Sequence, residues 1–483
     1  MPEMLIGGEW CAARSGEELD VLDPATEDTV ATVPSGSPED VDAAVAAAVA
    51  AFPTWSRTDP EARAEILRKG IGLLEDNRER IVDTLVHEQG KPTFEAAGEL
   101  DHLIHGLRYY ADLSTKLRGS YQPLPSALGE SYGLVIRRPV GVVAAIVPFN
   151  YPLTLMGTKI GPALVAGNTV VAKPAKTTPL SALIVAELMH EAGLPAGVLN
   201  VVTGTGANIG DALSGHPDVR RVAFTGETET GRRIMGIAGP QFKRVTMELG
   251  GSDPVIICPD ADVKRAVKGV LIGRFWNAGQ SCLAGKRVYV FEEVYDACVE
   301  QLLAELERYE PGAGWVKAEK PKIRMGPVHT AGQRDTLLAQ VEDSRKRGGD
   351  VLFGGTAPED AEKGYFMLPT LVAGAPDDSR VAVEETFGPV LPIFKVKDMD
   401  EAIARANASR YGLGSSVWTY DARLIHRAAH ELDAGMTWVN QIHYGYDELP
   451  FGGVKDSGIG KEHGIEGLEH YTELKSVVVG GLG

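Results

Sequence analysis

Cysteine is scarce in this chain, because 483 residues include only Cys11, Cys258, Cys282 and Cys298. Cysteines so few and so scattered form neither a disulfide framework nor a CxxC zinc motif, and a reducing, cytoplasmic setting is expected. The N-terminus lacks the basic start and apolar run of a signal peptide. The longest apolar region, 140–171, is interrupted by three prolines and a lysine, which excludes a membrane span.

Positive charge is in deficit: 48 Lys and Arg stand against 66 Asp and Glu, a formal net charge of −18. Such a surface repels phosphate backbones and anionic headgroups, so neither nucleic acid nor a membrane is expected as a partner. Glycine, in contrast, is abundant, and its 56 residues show no period, which suits many tight turns. At roughly 150 residues per domain, the length corresponds to about three domain-sized units.

Helix signals dominate the first 118 residues. Ser37, Pro38 and Glu39 are typical of a helix cap followed by a proline and an acid in the first turn. Residues 119–137 are polar and contain turn residues, so we expect a protruding hairpin there. The chain ends in an apolar strand at 475–479 with nothing after it, which predicts a pairing partner in another subunit.

From residue 140, short apolar runs alternate with helical stretches. A first series predicts strands at 141–147, 168–173, 198–202, 220–225 and 244–249. A second series predicts strands at 254–258, 287–291, 390–396 and 412–418. Short buried strands that alternate with helices are typical of a parallel sheet covered on both faces. The predicted fold class is therefore α/β, with two such units.

Cys282 lies on a predicted loop, after a helix that ends near Phe275 and a turn at Gly279. A loop exposes a small nucleophile and lets backbone N–H groups converge on it. The alternative is a buried structural cysteine, which is the common state of a free thiol in proteins. For the other three cysteines the structural interpretation is expected.

Two further polar side chains follow predicted strands. Glu248 ends an apolar strand before two glycines, at the edge where α/β sheets place their sites. Loss of hydration there would raise its pKa and suit it to general-base catalysis near neutrality. Asn150, flanked by aromatics and prolines, is a stiff amide donor suited to an oxyanion. A solvated strand-end acid and an ordinary turn asparagine are the alternatives.

Two glycine-rich turns are candidates for phosphate binding. Gly206 and Gly210 in one, and Gly226 in the other, follow strands and open helices, where a pyrophosphate gains from the helix dipole. Neither turn has the GxGxxG dinucleotide fingerprint. Glu227 would oppose a second anion at its turn. Lys173 closes a strand and is a candidate for ribose or phosphate contact, with a solvated or structural lysine as the alternative.

Seven short motifs follow one another along the chain. They are PFNYP at 148–152, KP at 173–174, FTG at 224–226, ELGG at 248–251, GQSC at 279–282, ETFGP at 385–389 and PFGG at 450–453. In this order and spacing they resemble the aldehyde dehydrogenase superfamily, from Ile6 to Val479. Chance similarity of seven motifs in register is very improbable, which favours the functional interpretations of Cys282 and Glu248.

The resemblance implies a subunit of three parts. A Rossmann-like cofactor domain would take residues 1–118 and 138–249, and a second α/β domain, the catalytic one, residues 250–448. A small β bridging element, residues 119–137 and 467–483, would build a homodimer or a homotetramer. The implied reaction is the NAD- or NADP-dependent oxidation of a small aldehyde to its carboxylic acid, without a metal.

The resemblance also assigns a role to each motif. Cys282 would attack the aldehyde carbon, the Asn150 amide and the Cys282 backbone N–H would hold the oxyanion, and Glu248 would activate the water that hydrolyses the thioester. The residues implied to bind the cofactor are Ile146, Pro148, Phe149, Lys173, Ala175, Lys176, Gly206, Gly210, Phe224, Thr225, Gly226, Glu227, Leu249, Glu385 and Phe387. The residues implied to line the substrate pocket are Tyr151, Met156, Trp276, Ser281, His443 and Tyr444.

Two departures from the family pattern bear on the cofactor. Lys176 stands where many NAD-preferring relatives have a glutamate that binds the ribose 2′-hydroxyl. A lysine cannot accept that hydrogen bond but attracts a 2′-phosphate, which predicts that NADP is used at least as well as NAD. Glu227 replaces the serine common after Phe-Thr-Gly, which leaves the pyrophosphate contacts at this turn open.

The substrate is expected to be uncharged. Relatives that act on small carboxylated aldehydes place arginines near the equivalents of Thr158 and Trp276, and both positions are uncharged here. Trp276 and the loop at 442–446 indicate an apolar, aromatic-lined mouth, which favours an aliphatic or aromatic aldehyde. Arg274 would reverse this expectation if its side chain turned into the pocket.

Other functions are open from the sequence. A CoA-acylating dehydrogenase would use CoA in place of water, and Glu248 argues against it because such an enzyme gains little from a base that activates water. A cysteine hydrolase on the same fold would use Cys282 and Glu248 without a nucleotide, which the cofactor segments contradict. A protein that kept the fold but lost turnover would be expected to lack one of these two residues.

Overall fold

The computed structural model describes residues 2–125 and 131–480. The strands in these ranges, numbered along the chain, are β1 (Met4–Ile6), β2 (Glu9–Cys11), β3 (Glu18–Leu22), β4 (Thr29–Pro34), β5 (Ser120–Leu124), β6 (Ser131–Pro139), β7 (Val142–Ile146), β8 (Thr169–Lys173), β9 (Leu199–Val201), β10 (Val219–Thr225), β11 (Arg244–Glu248), β12 (Asp253–Ile257), β13 (Gly285–Phe291), β14 (Tyr309–Pro311), β15 (Ile323–Met325), β16 (Asp350–Phe353), β17 (Thr370–Ala373), β18 (Val390–Val396), β19 (Tyr411–Gly412), β20 (Gly414–Trp418), β21 (Met436–Val439), β22 (Val454–Lys455), β23 (Gly458–Ile459) and β24 (Thr472–Val479).

The helices lie between these strands. They are α1 (Pro38–Trp55), α2 (Pro60–Asp76), α3 (Arg78–Gln89), α4 (Thr93–Asp112), α5 (Pro152–Val165), α6 (Leu180–Glu191), α7 (Asp211–Gly215), α8 (Thr228–Ala238), α9 (Val263–Phe275), α10 (Glu292–Leu306), α11 (Ala331–Lys346), α12 (Arg380–Val383), α13 (Met399–Asn407), α14 (Ala422–Glu431) and α15 (Gly464–Glu469). None of the helices in the described ranges is long and apolar enough to cross a membrane.

The first large sheet has the strand order β2-β1-β9-β8-β7-β10-β11-β23. The five central strands are β9, β8, β7, β10 and β11. They run parallel, as the apolar runs of the sequence predict. In β7, Val143 and Ala145 face one hydrophobic core while Val142 and Ala144 face another. Alternate residues of a strand point to opposite faces, so both faces of this sheet are buried.

The second large sheet has the order β16-β17-β18-β13-β12-β20-β21 and is parallel except for β16 at its edge. It accounts for the second predicted series of strands, and its two faces also belong to separate cores. The α/β fold class with two such units is confirmed. β11 ends at Glu248 and β12 begins at Asp253, so a short turn carries the chain from one sheet to the other.

The terminal strand β24 pairs with β6 of the same chain over eight residues, from Thr472 with Pro139 to Val479 with Tyr132. The terminal strand therefore has a partner within its own chain, whereas we expected it to be unpaired here and to find its partner in another subunit; β24 lies at the edge of this sheet. The sequence separation between these strands, more than 300 residues, gives no local pattern that would reveal the pairing. β5 adds the third strand, and the predicted hairpin at 119–137 forms at its described residues, while residues 126–130 lie outside them.

Helices α1 to α4 occupy most of the first 118 residues, as predicted, but residues 4–34 form short strands that the prediction missed. β1 joins the first sheet through Leu5, which pairs with Val201, and β3 and β4 form a separate hairpin. These strands are three to six residues long and carry little alternation of apolar and polar residues, so periodicity does not reveal them. β23 returns to the first sheet against β11, from a segment outside the predicted domain ranges.

Candidate active site

The candidate site begins at the carboxyl edge of the first sheet. Ile146 at the end of β7 lies opposite Lys173 of β8 on one side and opposite Phe224 of β10 on the other. Thr225 in turn lies opposite Glu248 at the end of β11. Four strands therefore bring these predicted residues to one edge, where open α/β sheets place their ligand sites.

The loop that carries Cys282 leaves α9 through a left-handed turn. Asn277, Ala278 and Gly279 all have positive φ, at 52°, 51° and 74°. Side chains disfavour this region, so the conformation of the two non-glycine residues must be held by its surroundings. The buried carboxylate of Glu95 on α4 accepts the backbone N–H of Asn277 over 2.8 Å and supplies one such restraint.

Asn150 contacts this loop through both its side chain and its backbone. Its side-chain amide donates to the carbonyl oxygen of Gln280 over 3.0 Å. Its own carbonyl oxygen accepts the Asn277 amide over 2.9 Å and the Lys91 ammonium over 2.8 Å. Lys91 is fully buried and pairs with Glu99, which is also fully buried. Asn150 is thus fixed beside the loop of Cys282 by buried polar contacts.

Glu248 is buried at the edge of the first sheet, and its backbone oxygen accepts the N–H of Gly226 over 3.0 Å. Among the described residues neither of its carboxylate oxygens has a hydrogen-bond partner. Burial raises its pKa well above the usual range, and the nearby Glu462 carboxylate raises it further. A carboxylate in this state is a strong base once it is ionised.

A buried ion pair lies behind Glu248. The Lys159 ammonium donates to Glu462 and to the Thr225 hydroxyl, both over 2.7 Å. The other Glu462 oxygen accepts the Thr158 hydroxyl over 3.0 Å. The charge of Lys159 opposes the effect of Glu462 on the pKa of Glu248.

Close backbone approach joins the turn after Glu248 to the Cys282 loop. A methyl group placed on Gly251 would lie 2.9 Å from the Cys282 carbonyl oxygen, so only glycine fits there. The N–H of Gly251 donates to Glu385 over 3.0 Å. Cys282 itself is half-buried, and burial raises the pKa of its thiol to about 12. The structure therefore brings the segments of Cys282, Glu248 and Asn150 together, with Glu385 beside them.

The residues implied to bind the adenosine ribose and the pyrophosphate of the cofactor also lie near the carboxyl edge of the first sheet. Lys173 is buried and donates to the Pro174 carbonyl over 3.2 Å, and burial, with the neighbouring charge of Lys176, lowers its pKa to about 8. Lys176 and Glu227 are exposed, and Glu227 precedes the first turn of α8. Ala175, Pro148 and Gly226 are partly exposed, whereas Leu249 is buried.

Phe149, another residue implied to bind the cofactor, contacts two aromatic rings. Its ring stacks on His329 at 4.4 Å and meets Phe387 edge-on at 6.1 Å. Gly206 and Gly210 bound a single π-helical turn that leads into α7, and the space beside both glycines is open.

Comparison with known proteins agrees with this arrangement. Residues 10–477 match the family model described as the aldehyde dehydrogenase family. Phenylacetaldehyde dehydrogenase of Pseudomonas fluorescens is 43% identical over 99% of this chain and 95% of its own length. The chain belongs to the aldehyde dehydrogenase family.

Solved structures of similar proteins share the fold across the whole chain. An NADP-dependent enzyme of E. coli superimposes with a TM-score of 0.96 at 37% identity, over 99% of this chain and 98% of that one. Betaine aldehyde dehydrogenase of Staphylococcus aureus, in complex with NAD+, gives a TM-score of 0.94 at 34% identity, over 99% and 94%. The aldehyde dehydrogenase fold predicted from the motifs is confirmed.

The residues predicted to line the substrate pocket differ in how far their side chains are exposed. Trp276 and Tyr444 are more than a third exposed, and Tyr151 and Ser281 are partly exposed. The side chain of His443 is buried, and its Nδ1 contacts the Leu283 carbonyl at 3.0 Å.

Met156 does not fit the predicted pocket. It is 1% exposed and packs in a core of the first sheet. The helix periodicity of α5 turns it inward, and its neighbour Leu155 is the partly exposed residue.

Arg274 does not reverse the expected charge of the pocket. It is fully buried, and its guanidinium donates to the carbonyl oxygens of Thr386 and Val390, each over 2.7 Å, and to that of Gly388. The guanidinium therefore binds backbone oxygens of the segment that follows Glu385 and holds that segment against the Cys282 loop.

Sequence reasoning missed several residues of the site. Phe94 and His102 of α4 contact Trp276 and Tyr444 respectively, at the exposed rim. The buried charged residues missed are Lys91, Glu95, Glu99, Lys159, Lys286 and Glu462. Lys91 lies just before α4, and Glu95 and Glu99 follow it at intervals of four residues. In a sequence this spacing is typical of a solvated, ion-paired helix face, so only the structure shows that these residues are buried.

Proposed function

We propose that this protein oxidises an uncharged aldehyde to its carboxylic acid with NADP or NAD, through a thioester on Cys282. The convergence of the Cys282 loop, the Asn150 amide and the buried Glu248 carboxyl carries this proposal. Each is a group that the chemistry needs, since an aldehyde releases hydride only after a nucleophile has made its carbon tetrahedral.

Cys282 supplies the nucleophile in this mechanism. The thiolate attacks the aldehyde carbon, and the carbonyl oxygen becomes an oxyanion of a thiohemiacetal. Asn150 has one amide hydrogen directed to Gln280, and its second hydrogen is available to the oxyanion together with the Cys282 backbone N–H. Collapse of the tetrahedral species expels hydride and leaves the thioester.

Glu248 acts in the second half of the reaction. Its raised pKa makes the ionised carboxylate basic enough to take a proton from the attacking water. The hydroxide adds to the thioester carbon, the C–S bond breaks, and the thiolate and the carboxylic acid are formed. A base for water favours hydrolysis over acyl transfer to CoA.

The residues at the first sheet's edge fit a nicotinamide dinucleotide. A bound NAD or NADP supplies the acceptor for the hydride. Lys173 is buried, and within the described residues its ammonium donates to the neighbouring Pro174 carbonyl, so it is suited to bind ribose oxygens. Glu385 is suited to bind the nicotinamide ribose. Lys176, exposed beside Lys173, favours a 2′-phosphate. We therefore propose that NADP is accepted at least as well as NAD.

The aromatic rim supports an uncharged substrate. Phe94 and Trp276 are both exposed there, and Arg274 is turned away from the rim by its backbone contacts. The relative that is 43% identical is a phenylacetaldehyde dehydrogenase. We propose an aldehyde with an aromatic or aliphatic group.

Assembly into a homodimer or homotetramer is part of the proposal. Tyr121, Ile136, Leu474 and Val478 leave apolar side chains exposed on the small sheet of β5, β6 and β24. Light scattering after gel filtration tests this, and a monomer of about 52 kDa would contradict it.

The central experiment follows reduced cofactor by absorbance, with a panel of aldehydes and both cofactors. Cys282→Ala should abolish turnover, and Glu248→Gln should give one burst of reduced cofactor per site and then stop, because the thioester accumulates. Full activity of Cys282→Ala would refute the mechanism. A product that forms as a CoA ester when CoA is added would indicate the acylating type instead.

A further inference from the structure

Lys286 is a buried charged residue for which the proposed mechanism gives no role. It lies on β13, four residues after Cys282, and its side chain is fully buried. Its ammonium donates to the carbonyl oxygens of Ser281 and Cys282, both over 2.8 Å, and lies 3.1 Å from a carboxylate oxygen of Glu385. An ammonium has three donors, so each has a partner.

Negative charge otherwise prevails around the Cys282 thiol. Burial raises the pKa of the thiol most strongly, the carboxylates of Glu385, Asp253 and Glu248 raise it too, and Lys286 lowers it. Among the described residues, the groups that act on this thiol are Lys286, Glu385, Asp253, Glu248 and the Tyr151 hydroxyl. His443 contacts the Asp253 carboxylate at 3.1 Å and the Leu283 carbonyl at 3.0 Å. The nucleophile of the proposed reaction is a thiolate, so this balance of charge bears directly on reactivity.

We propose that Lys286 is a positioning residue that fixes the Cys282 loop by its two carbonyl contacts and supplies the positive charge that offsets Glu385 and stabilises the thiolate. The inference rests on the proposed role of Cys282 as nucleophile. It extends that role, because the pair of Lys286 and Glu385 joins the thiol to the carboxylate proposed for the nicotinamide ribose.

A purely structural lysine would make the same contacts, so the test must separate charge from packing. Lys286→Gln keeps N–H donors for the two carbonyl oxygens but removes the charge. Lys286→Arg restores the charge. Glu385→Gln removes the opposing carboxylate, and it should therefore change thiol reactivity in the direction opposite to Lys286→Gln.

The experiment measures alkylation of the full chain by iodoacetamide across pH, without cofactor or aldehyde. Cys282→Ala provides the blank for the other three cysteines. Since thiolate fraction changes tenfold for each unit of pKa, Lys286→Gln should be alkylated roughly tenfold more slowly at pH 8, with its curve displaced to higher pH. Lys286→Arg should stay within about threefold of the parent, and Glu385→Gln should react several-fold faster.

Two results would overturn the proposal. One is alkylation of Lys286→Gln at the parent rate, and the other is a slowing of Glu385→Gln comparable with that of Lys286→Gln, which would indicate loss of packing alone. If Lys286→Gln does not fold, Glu385→Gln decides: faster alkylation supports the charge balance and slower alkylation refutes it. The assay needs neither turnover nor cofactor, so its failure is distinct from the failure of the proposed function.

Discussion

The side-chain amide of Asn150 donates to the backbone oxygen of Gln280 over 3.0 Å, which ties the predicted oxyanion donor to the loop of Cys282. Lys91 and Asn277 hold the other end of Asn150 by its carbonyl oxygen. A donor fixed in this way needs no reorganisation when the oxyanion forms, which is the condition for a large electrostatic contribution to catalysis.

Asn150→Ala should therefore lower kcat by about 10²- to 10³-fold, as removal of an oxyanion donor does in other enzymes. KM should change little, because the lost bond forms in the transition state. Steady-state kinetics with saturating cofactor measures both constants. Asn77→Ala, which removes an amide that donates to the Leu73 carbonyl at the end of α2, is the matched control and should leave kcat unchanged. A raised KM with an unchanged kcat would contradict the role.

The pH dependence of thioester hydrolysis should respond to Glu462. The Glu462 carboxylate raises the pKa of Glu248, so Glu462→Gln should lower that pKa and move the acid limb of the kcat profile to lower pH. Lys159→Met removes a positive charge that lowers the same pKa and should move the limb to higher pH. A burst of reduced cofactor in stopped-flow measurements identifies the conditions in which thioester hydrolysis limits turnover. Movement of both variants in one direction would exclude this electrostatic cause.

Lys91 and Glu99 form an ion pair in which both side chains are fully buried. Lys91→Met leaves the Glu99 charge without compensation and should lower the free energy of unfolding by about 3–5 kcal/mol. Lys91→Met combined with Glu99→Leu should lose less than the single variant. Arg80→Met, which breaks an exposed pair with Glu187, is the control and should cost less than about 1 kcal/mol. Chemical denaturation compares these variants.

The sequence pattern predicts those parts of the molecule that are determined by residues close together in the chain. Apolar runs locate the five central strands of the first sheet and four strands of the second within one or two residues, but they miss β17 inside the second sheet. The motifs contain the residues that meet at Glu248 and Cys282. Buried pairs such as Lys159 with Glu462 escape prediction, because their partners are about 300 residues apart. Lys286 escapes for a related reason: a charged residue at the start of a strand is ordinarily solvated, and only the packed structure shows it buried.

Cofactor preference should depend on the charge at position 176. Lys176 is exposed and close enough to Lys173 to lower the pKa of that lysine, so the two lysines together form a positive site. Lys176→Glu should reduce kcat/KM for NADP by roughly tenfold or more relative to NAD, because repulsion replaces attraction for the 2′-phosphate.

The matched control for this change is Lys363→Glu, which reverses the charge of an exposed lysine that contacts Asp28. It should leave the ratio of the two kcat/KM values unchanged. The same ratio in the parent and in Lys176→Glu would show that the 2′-phosphate binds elsewhere.

Substrate preference should depend on the aromatic rim. The rings of Phe94 and Trp276 meet edge-on at 5.4 Å, and both remain more than a third exposed, so an aromatic aldehyde can pack against them. Trp276→Ala should raise KM for phenylacetaldehyde by roughly three- to tenfold, the equivalent of one aromatic contact, and should affect acetaldehyde much less. Trp10→Ala, at an equally exposed ring on β2, is the control for loss of a surface tryptophan. Equal changes for both aldehydes would mean that Trp276 shapes the loop of Cys282 instead of contacting the substrate.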